Sequence, residues 1–159
     1  MSALQYLYLS GYQLSGTIPT DVGRLMGCLQ VDVHGNVLSG TLPTEFGKLS
    51  KLQHLGVGLN NLDGTVPSDL GQIRALLYLT LLSNQLHGTL PSELGFLGTL
   101  IYLDIGSNIL DGTLALEFVG WRSLTILDLH GNMFTGSPSV LANLPLLREF
   151  WLLSLCESA

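Results

Sequence analysis

Positive charge is scarce in this chain. Its 159 residues carry six Lys and Arg against twelve Asp and Glu, a formal net charge of −6. Nucleic acid calls for a basic stripe, so that partner is not expected. There are two cysteines, Cys28 and Cys156, too few for a disulfide framework. No apolar run approaches the roughly 18 unbroken residues of a membrane span, and no membrane insertion is expected. A basic stretch leading into an apolar one is also missing, so no signal peptide is visible. No Asn-x-Ser/Thr sequon occurs, which argues against a heavily glycosylated surface. The motifs of chemistry are missing too: no Gly-x-Ser-x-Gly elbow, no His-Glu-x-x-His, no Gly-rich phosphate loop, no paired-cysteine metal motif. Gly56-x-Gly58 lacks a third Gly and falls inside a strand pattern. The chain is expected to be no enzyme and to need no cofactor.

What is present is repetition. Asn36, Asn60, Asn84, Asn108 and Asn132 follow one another at intervals of 24, and a fixed period in this range marks a solenoid. Within a copy, Leu55-x-Val57 or Leu79-x-Leu81 alternates with period two, which predicts a short strand with one apolar face inward. The stretch Pro91-Ser92-Glu93-Leu94-Gly95-Phe96-Leu97 predicts a brief helical turn. Ser or Thr follows Pro in four copies (Thr20, Thr44, Ser68, Ser92), with an acid next (Asp21, Glu45, Asp69, Glu93). The hydroxyl is expected to cap free N–H groups, and the acid to favour the positive end of the turn. One copy cannot bury its Leu face alone, so neighbours must stack and their strands must join in one parallel sheet. The Asn column is expected to turn each coil by bonding backbone groups that would otherwise be unpaired.

These residues together read Leu-x-x-Leu-x-Leu-x-x-Asn-x-Leu-x-Gly-x-(Ile/Leu/Val)-Pro, from Leu4 to about Leu155. The phrase resembles the plant-type leucine-rich repeat, as in the repeat region of receptor-like proteins. The resemblance implies an α/β fold: a right-handed solenoid with a concave parallel sheet and a convex side carrying the Gly-x-Ile-Pro segment. Six full repeats and a truncated seventh are expected. Several positions depart from the pattern. Tyr12 stands in place of the first Asn, Cys28 takes a core Leu position, Ala115 replaces Pro and Val119 replaces Gly. The sixth copy is one residue short at Gly136-Ser137-Pro138, and a seventh begins at Leu147. At strand spacings of about 4.8 Å the coils of Cys28 and Cys156 stand roughly 24 Å apart, beyond disulfide reach. Cys28 is therefore expected to be a buried thiol.

Residues 1–159 are read as a single domain without recognisable caps, either a segment of a longer array or a chain whose ends pair with something. The tail Phe150-Trp151-Leu152-Leu153-Ser154-Leu155 is apolar, so self-association through open ends is one possible role. In the resemblance, an extracellular or membrane-attached location follows only if the parent is receptor-like.

The outward strand positions carry no Lys or Arg; Arg24, Lys48, Lys51, Arg74 and Arg122 all fall in the loops that lead to the next strand. The leading reading is a protein- or peptide-binding module whose partner is neutral to basic. Its candidate contacts are Tyr78, Tyr102, Ile126, Leu82, Asp104 and Asp128, extended by Tyr6, Tyr8, His34 and His54. Tyrosine supplies rigid area with a polar tip, and the aspartates orient a basic or hydrogen-bond-donating group. Asp32-x-His34 and Asp128-x-His130 suggest metal, but four coils separate the pairs and Asp104, Asp128 and His130 have no geometric constraint between them. Ser, His and Asp do share this face, yet an open sheet excludes no water and offers no oxyanion donors. A last reading is ice binding by the ladder Thr17, Thr41, Thr65, Thr89 and Thr113, with Ser137. The neighbouring rank Ser15, Ser39, Asp63, His87, Asp111 and Thr135 is too mixed to match it.

Overall fold

The computed structural model describes residues 4–152; Cys156 and the tail residues Leu153 to Leu155 lie outside the described residues. Seven three-residue strands form one parallel sheet in chain order: Tyr6–Tyr8, Gln30–Asp32, His54–Gly56, Tyr78–Thr80, Tyr102–Asp104, Ile126–Asp128 and Glu149–Trp151. Partners stand one period apart, as Leu55 beside Leu79 and Leu79 beside Leu103. The final step is one residue shorter, Leu127 beside Phe150, because the sixth copy lacks a residue. Parallel neighbours require a crossover, and the remainder of each coil provides it.

The alternation of each strand sends one column into the core. Leu55, Leu79, Leu103 and Leu127 are fully buried, and so are Val57, Leu81, Ile105 and Leu129 behind them. Cys28 is fully buried in the second coil, its thiol donating to the carbonyls of Gln5 and Gln30. Trp121 occupies the column held by Leu49, Ile73 and Leu97 in earlier coils. It stacks on Phe118 with ring centroids 4.2 Å apart, and its indole N–H donates to the Leu94 carbonyl at 2.7 Å.

Asparagine closes the second to sixth coils as expected. The Asn108 side-chain oxygen accepts the Leu86 N–H at 3.0 Å, while its amide faces the carbonyls of Leu81, Ile105 and Gly106 at 3.1, 3.1 and 3.2 Å. Asn36, Asn60, Asn84 and Asn132 repeat the pattern, each tying its own coil to the preceding one. No buried side-chain nitrogen or oxygen among the described residues lacks a partner.

After the Asn turn, short strands pair in two further parallel sheets. Ser15–Thr17, Val37–Thr41 and Asn61–Asp63 make one; His87–Thr89, Ile109–Gly112 and Met133–Phe134 make the other. The repeated Gly stands within or at the end of these strands with positive φ, +78° at Gly64 and +76° at Gly112. It also accepts the threonine of the previous coil: a Cβ on Gly112 would lie 2.7 Å from the Thr89 methyl carbon, and one on Gly64 2.8 Å from that of Thr41. The Thr ladder therefore has a packing role in the fold.

The helical segments are 3₁₀ turns: Thr20–Arg24, Thr44–Lys48, Ser68–Gln72, Ser92–Phe96, Leu116–Gly120 and Pro138–Asn143. The expected hydroxyl caps do not form. Pro19, Pro43, Pro67 and Pro91 hold the cap position in extended backbone, and Ser or Thr comes one residue too late to reach the free N–H groups. Thr44 and Ser92 instead donate weakly to Glu45 and Glu93 beside them, at 3.4 Å each. Ser137 does act as a cap, accepting the Ser139 N–H. No helix among the described residues is long and apolar enough to cross a membrane.

Candidate functional site

Register fixes which outward side chains meet on the open face of the long sheet. One row runs His54, Tyr78, Tyr102, Ile126 and Glu149; the next runs Gly56, Thr80, Asp104, Asp128 and Trp151. The His54 and Tyr78 rings lie 6.0 Å apart. Tyr78 is well exposed, and Tyr102, Ile126 and Leu82 are half-buried. These six contacts, with His54, form one continuous strip. Tyr6 and Tyr8 stack at 6.2 Å on the first strand, four strands from Tyr102, and the Tyr8 hydroxyl donates to Gln30. His34 stands on the second coil, its backbone N–H donating to Asp32. The ten predicted residues thus run across six consecutive strands, Tyr6, Tyr8 and His34 on the first two coils and the central strip on the next four.

Asp104 is the unusual member. It points toward solvent by strand parity, yet it is only 6% exposed because neighbours lean over it. The Gly106 N–H donates to its Oδ1 at 3.0 Å and the Tyr102 hydroxyl to its Oδ2 at 3.2 Å. Burial pushes the carboxyl pKa above its ordinary value and nearby Asp128 adds to the rise, while the Gly106 bond, the Tyr102 bond and His130 oppose it. The Tyr102 phenol is pushed up to about 12, first by burial, then by the charge and hydrogen bond of Asp104, with Asp128 contributing last.

That displacement is measurable. In an alkaline absorbance titration a phenol is expected to ionise at about 12, and Asp104→Asn should move it downward by removing a neighbouring charge. A titration unchanged by the substitution would contradict the contact. Because the folded-state value lies above the unfolded value of 10.0, Tyr102 holds back ionisation in the native state. Its contribution to stability is intact below pH 10 and is lost as pH rises from there through about 12.

A second network adjoins the first. Asp128 Oδ1 accepts the His130 backbone N–H at 3.0 Å and stands 2.6 Å from His130 Nδ1; His130 Nε2 is 3.1 Å from Ser107 Oγ. Gly106 makes the room, since a Cβ there would lie 2.5 Å from two atoms of the imidazole. Asp128 and His130 are thus bonded to each other, and no three His, Cys, Asp or Glu among the described residues converge as a metal ion requires. Ser107, Glu149 and Trp151 are additions to the predicted set. The missing residue in the sixth copy was the signal for the last two, because it fixes which tail residues pair with Ile126 and Asp128.

Away from this face, a cavity of about 380 Å³ opens beneath the first coil, lined by Leu7, Leu9, Leu14, Ile18, Val22 and Phe46 among others. It lies at the first-coil end of the stack.

The comparisons with known proteins agree with the fold. The family model for the leucine rich repeat matches residues 3–25 and 123–144. A TDR receptor crystal structure is 34% identical, over 95% of this chain and 26% of that chain, with a TM-score of 0.88. The Arabidopsis receptor kinase HAESA, in complex with the peptide hormone IDA and the co-receptor SERK1, is 34% identical over 87% of this chain and 23% of its own, with a TM-score of 0.77. The BIR2 ectodomain from Arabidopsis thaliana is 30% identical over 82% of this chain and 69% of its own, with a TM-score of 0.73. The chain spans about a quarter of the first two structures and more than two thirds of the third. No curated protein matches it.

Proposed function

This chain belongs to the leucine-rich-repeat family, and from that premise we propose that it is a protein- or peptide-binding module that works through the open face of its long sheet. In this reading Tyr78, Tyr102, Ile126 and Leu82 supply contact area, and Asp104 and Asp128 hold a basic or hydrogen-bond-donating group of the ligand. The HAESA structure, a relative in complex with a peptide hormone, favours a peptide among the possible partners. The face binds and releases; no turnover is part of the proposal.

The observation that carries the reading is the burial of Asp104 beside Asp128. A carboxyl whose pKa is raised by folding contributes stability only at acidic pH, and that contribution is lost as pH rises past the ordinary value of 3.8. Wherever it is ionised, its burial works against the fold. A side chain that opposes folding on an otherwise regular sheet is a reason to look for a ligand. Asp104→Asn keeps one oxygen to accept the Gly106 N–H and turns an amide N–H toward the Tyr102 oxygen, which can accept it, so its urea midpoint at pH 7 is expected to rise above wild type. A lower midpoint would remove this support.

The binding test is capture from a native lysate by wild type, Tyr78→Arg, Asp104→Asn and Leu116→Asp. Leu116 is 78% exposed on a 3₁₀ turn and serves as a control remote from the sheet. Partners that survive Leu116→Asp and are lost with both sheet variants support the site. Central contacts of this type are worth about 2 kcal/mol or more, roughly a 30-fold loss of affinity. Partners retained by both sheet variants would overturn it.

A second reading, a self-associating unit, draws on the apolar opening beneath the first coil. Light scattering should then show species larger than a monomer that dissociate with Leu9→Asp. A monomer across the accessible concentration range sinks it.

A further inference from the structure

The Ser107, His130 and Asp128 side chains form a directed chain, and it shares Asp128 with the proposed binding face. Asp128 Oδ1 lies 2.6 Å from His130 Nδ1, which places the ring proton on Nδ1 and leaves the Nε2 lone pair to face Ser107 Oγ at 3.1 Å. This is the arrangement by which a carboxylate orients an imidazole and the imidazole acts as base toward a hydroxyl. The His130 and Asp128 side chains are 42% and 20% exposed, and Ser107 is exposed, so an incoming molecule reaches the hydroxyl from solvent.

The repeat supplies its own controls. Ser83 occupies the same place one coil earlier, with the same left-handed backbone, φ +52° at both residues. Its neighbour at the position of His130 is Gly106, so it has no base. The other Asp-x-His pair has no serine either: the position matching Ser107 beside His34 is Gly11. Among the described residues only one coil boundary combines all three groups.

We propose that Ser107 is an acylatable nucleophile, a modification site that takes an acyl group from activated esters with His130 as general base and Asp128 as its orienting partner. Ser107 Oγ attacks the ester carbonyl carbon as its proton passes to His130 Nε2. The Oγ–C bond forms, the bond from carbon to the leaving oxygen breaks, and the leaving group departs with the electron pair. His130 then returns its proton to the leaving group or to water. No oxidant or metal enters the balance.

The probe is p-nitrophenyl acetate on the folded protein at neutral pH, with the acetyl group located and timed by peptide mass mapping. A positioned base accelerates such a step on the order of 10²–10⁴-fold, so Ser107 should be acetylated about 10²-fold faster than Ser83. His130→Gln and Asp128→Asn should each reduce the Ser107 rate toward that of Ser83. Gly106→Ala leaves all three side chains present but displaces the imidazole, and should do the same. Circular dichroism shows whether each variant is folded, and the wild-type comparison of Ser107 with Ser83 stands whether or not they are. Equal rates at the two serines, an adduct confined to His130, or a Ser107 rate unchanged in folded Gly106→Ala would each overturn the assignment.

Discussion

Trp121→Ala is expected to be among the most damaging single substitutions in the molecule, lowering the unfolding free energy by about 3–5 kcal/mol. The indole is fully buried, stacked on Phe118, and fills a column where other coils place Leu or Ile. The cost comes from the cavity. Leu94, which loses the indole N–H, keeps the Leu97 N–H at 3.0 Å, so no carbonyl is stranded. Trp121→Leu should consequently recover a good part of the loss by restoring the residue type of Leu97. The measurement is urea unfolding followed by far-ultraviolet circular dichroism, since indole fluorescence would be altered by the substitution itself. A cost below about 1 kcal/mol for Trp121→Ala would show that the fifth coil is not packed as described.

Asn108→Ala is expected to cost about 1–3 kcal/mol, for a different reason. Two of the three carbonyls served by Asn108 are also served by a neighbouring asparagine, Leu81 by Asn84 and Ile105 by Asn132. The third, Gly106, also accepts the Ser83 N–H. The group with no substitute is the Leu86 N–H, which is left buried and unpaired. Asn108→Asp should not rescue the protein at pH 7. It keeps an acceptor for Leu86 but turns lone pairs toward three carbonyl oxygens. Equilibrium unfolding of both variants decides the point, and an Asp variant as stable as wild type would contradict the ladder.

Much of this architecture can be read from the letters because one rule repeats. The interval between asparagines gives the register, the Leu-x-Leu alternation gives the buried columns, and Cys28 in a Leu slot gives a buried thiol. The caps depart from the expectation because the residue type suits a cap and its position does not: proline already holds the extended cap position. The site was harder to see. Strand parity places Asp104 on the open face, but its burial depends on side chains from adjoining coils leaning across it, which no single copy specifies. The contact of His130 with Ser107 crosses a coil boundary and depends on Gly106 having no Cβ. A glycine at an outward strand position next to a larger side chain is the visible trace of such a contact.

The one-period stack has a mechanical meaning. Each coil is held chiefly by the two beside it, through strand pairs, the asparagine ladder and the threonine methyls. Drawn apart by its ends, such a chain should pay out like line from a reel, one turn at a time. Every 24-residue turn released would lengthen the tether by about 80 Å. The first coil, with Tyr12 in place of asparagine, and the sixth, whose second strand is only Met133–Phe134, are the turns that should slip first. The central coils should bear the load longest.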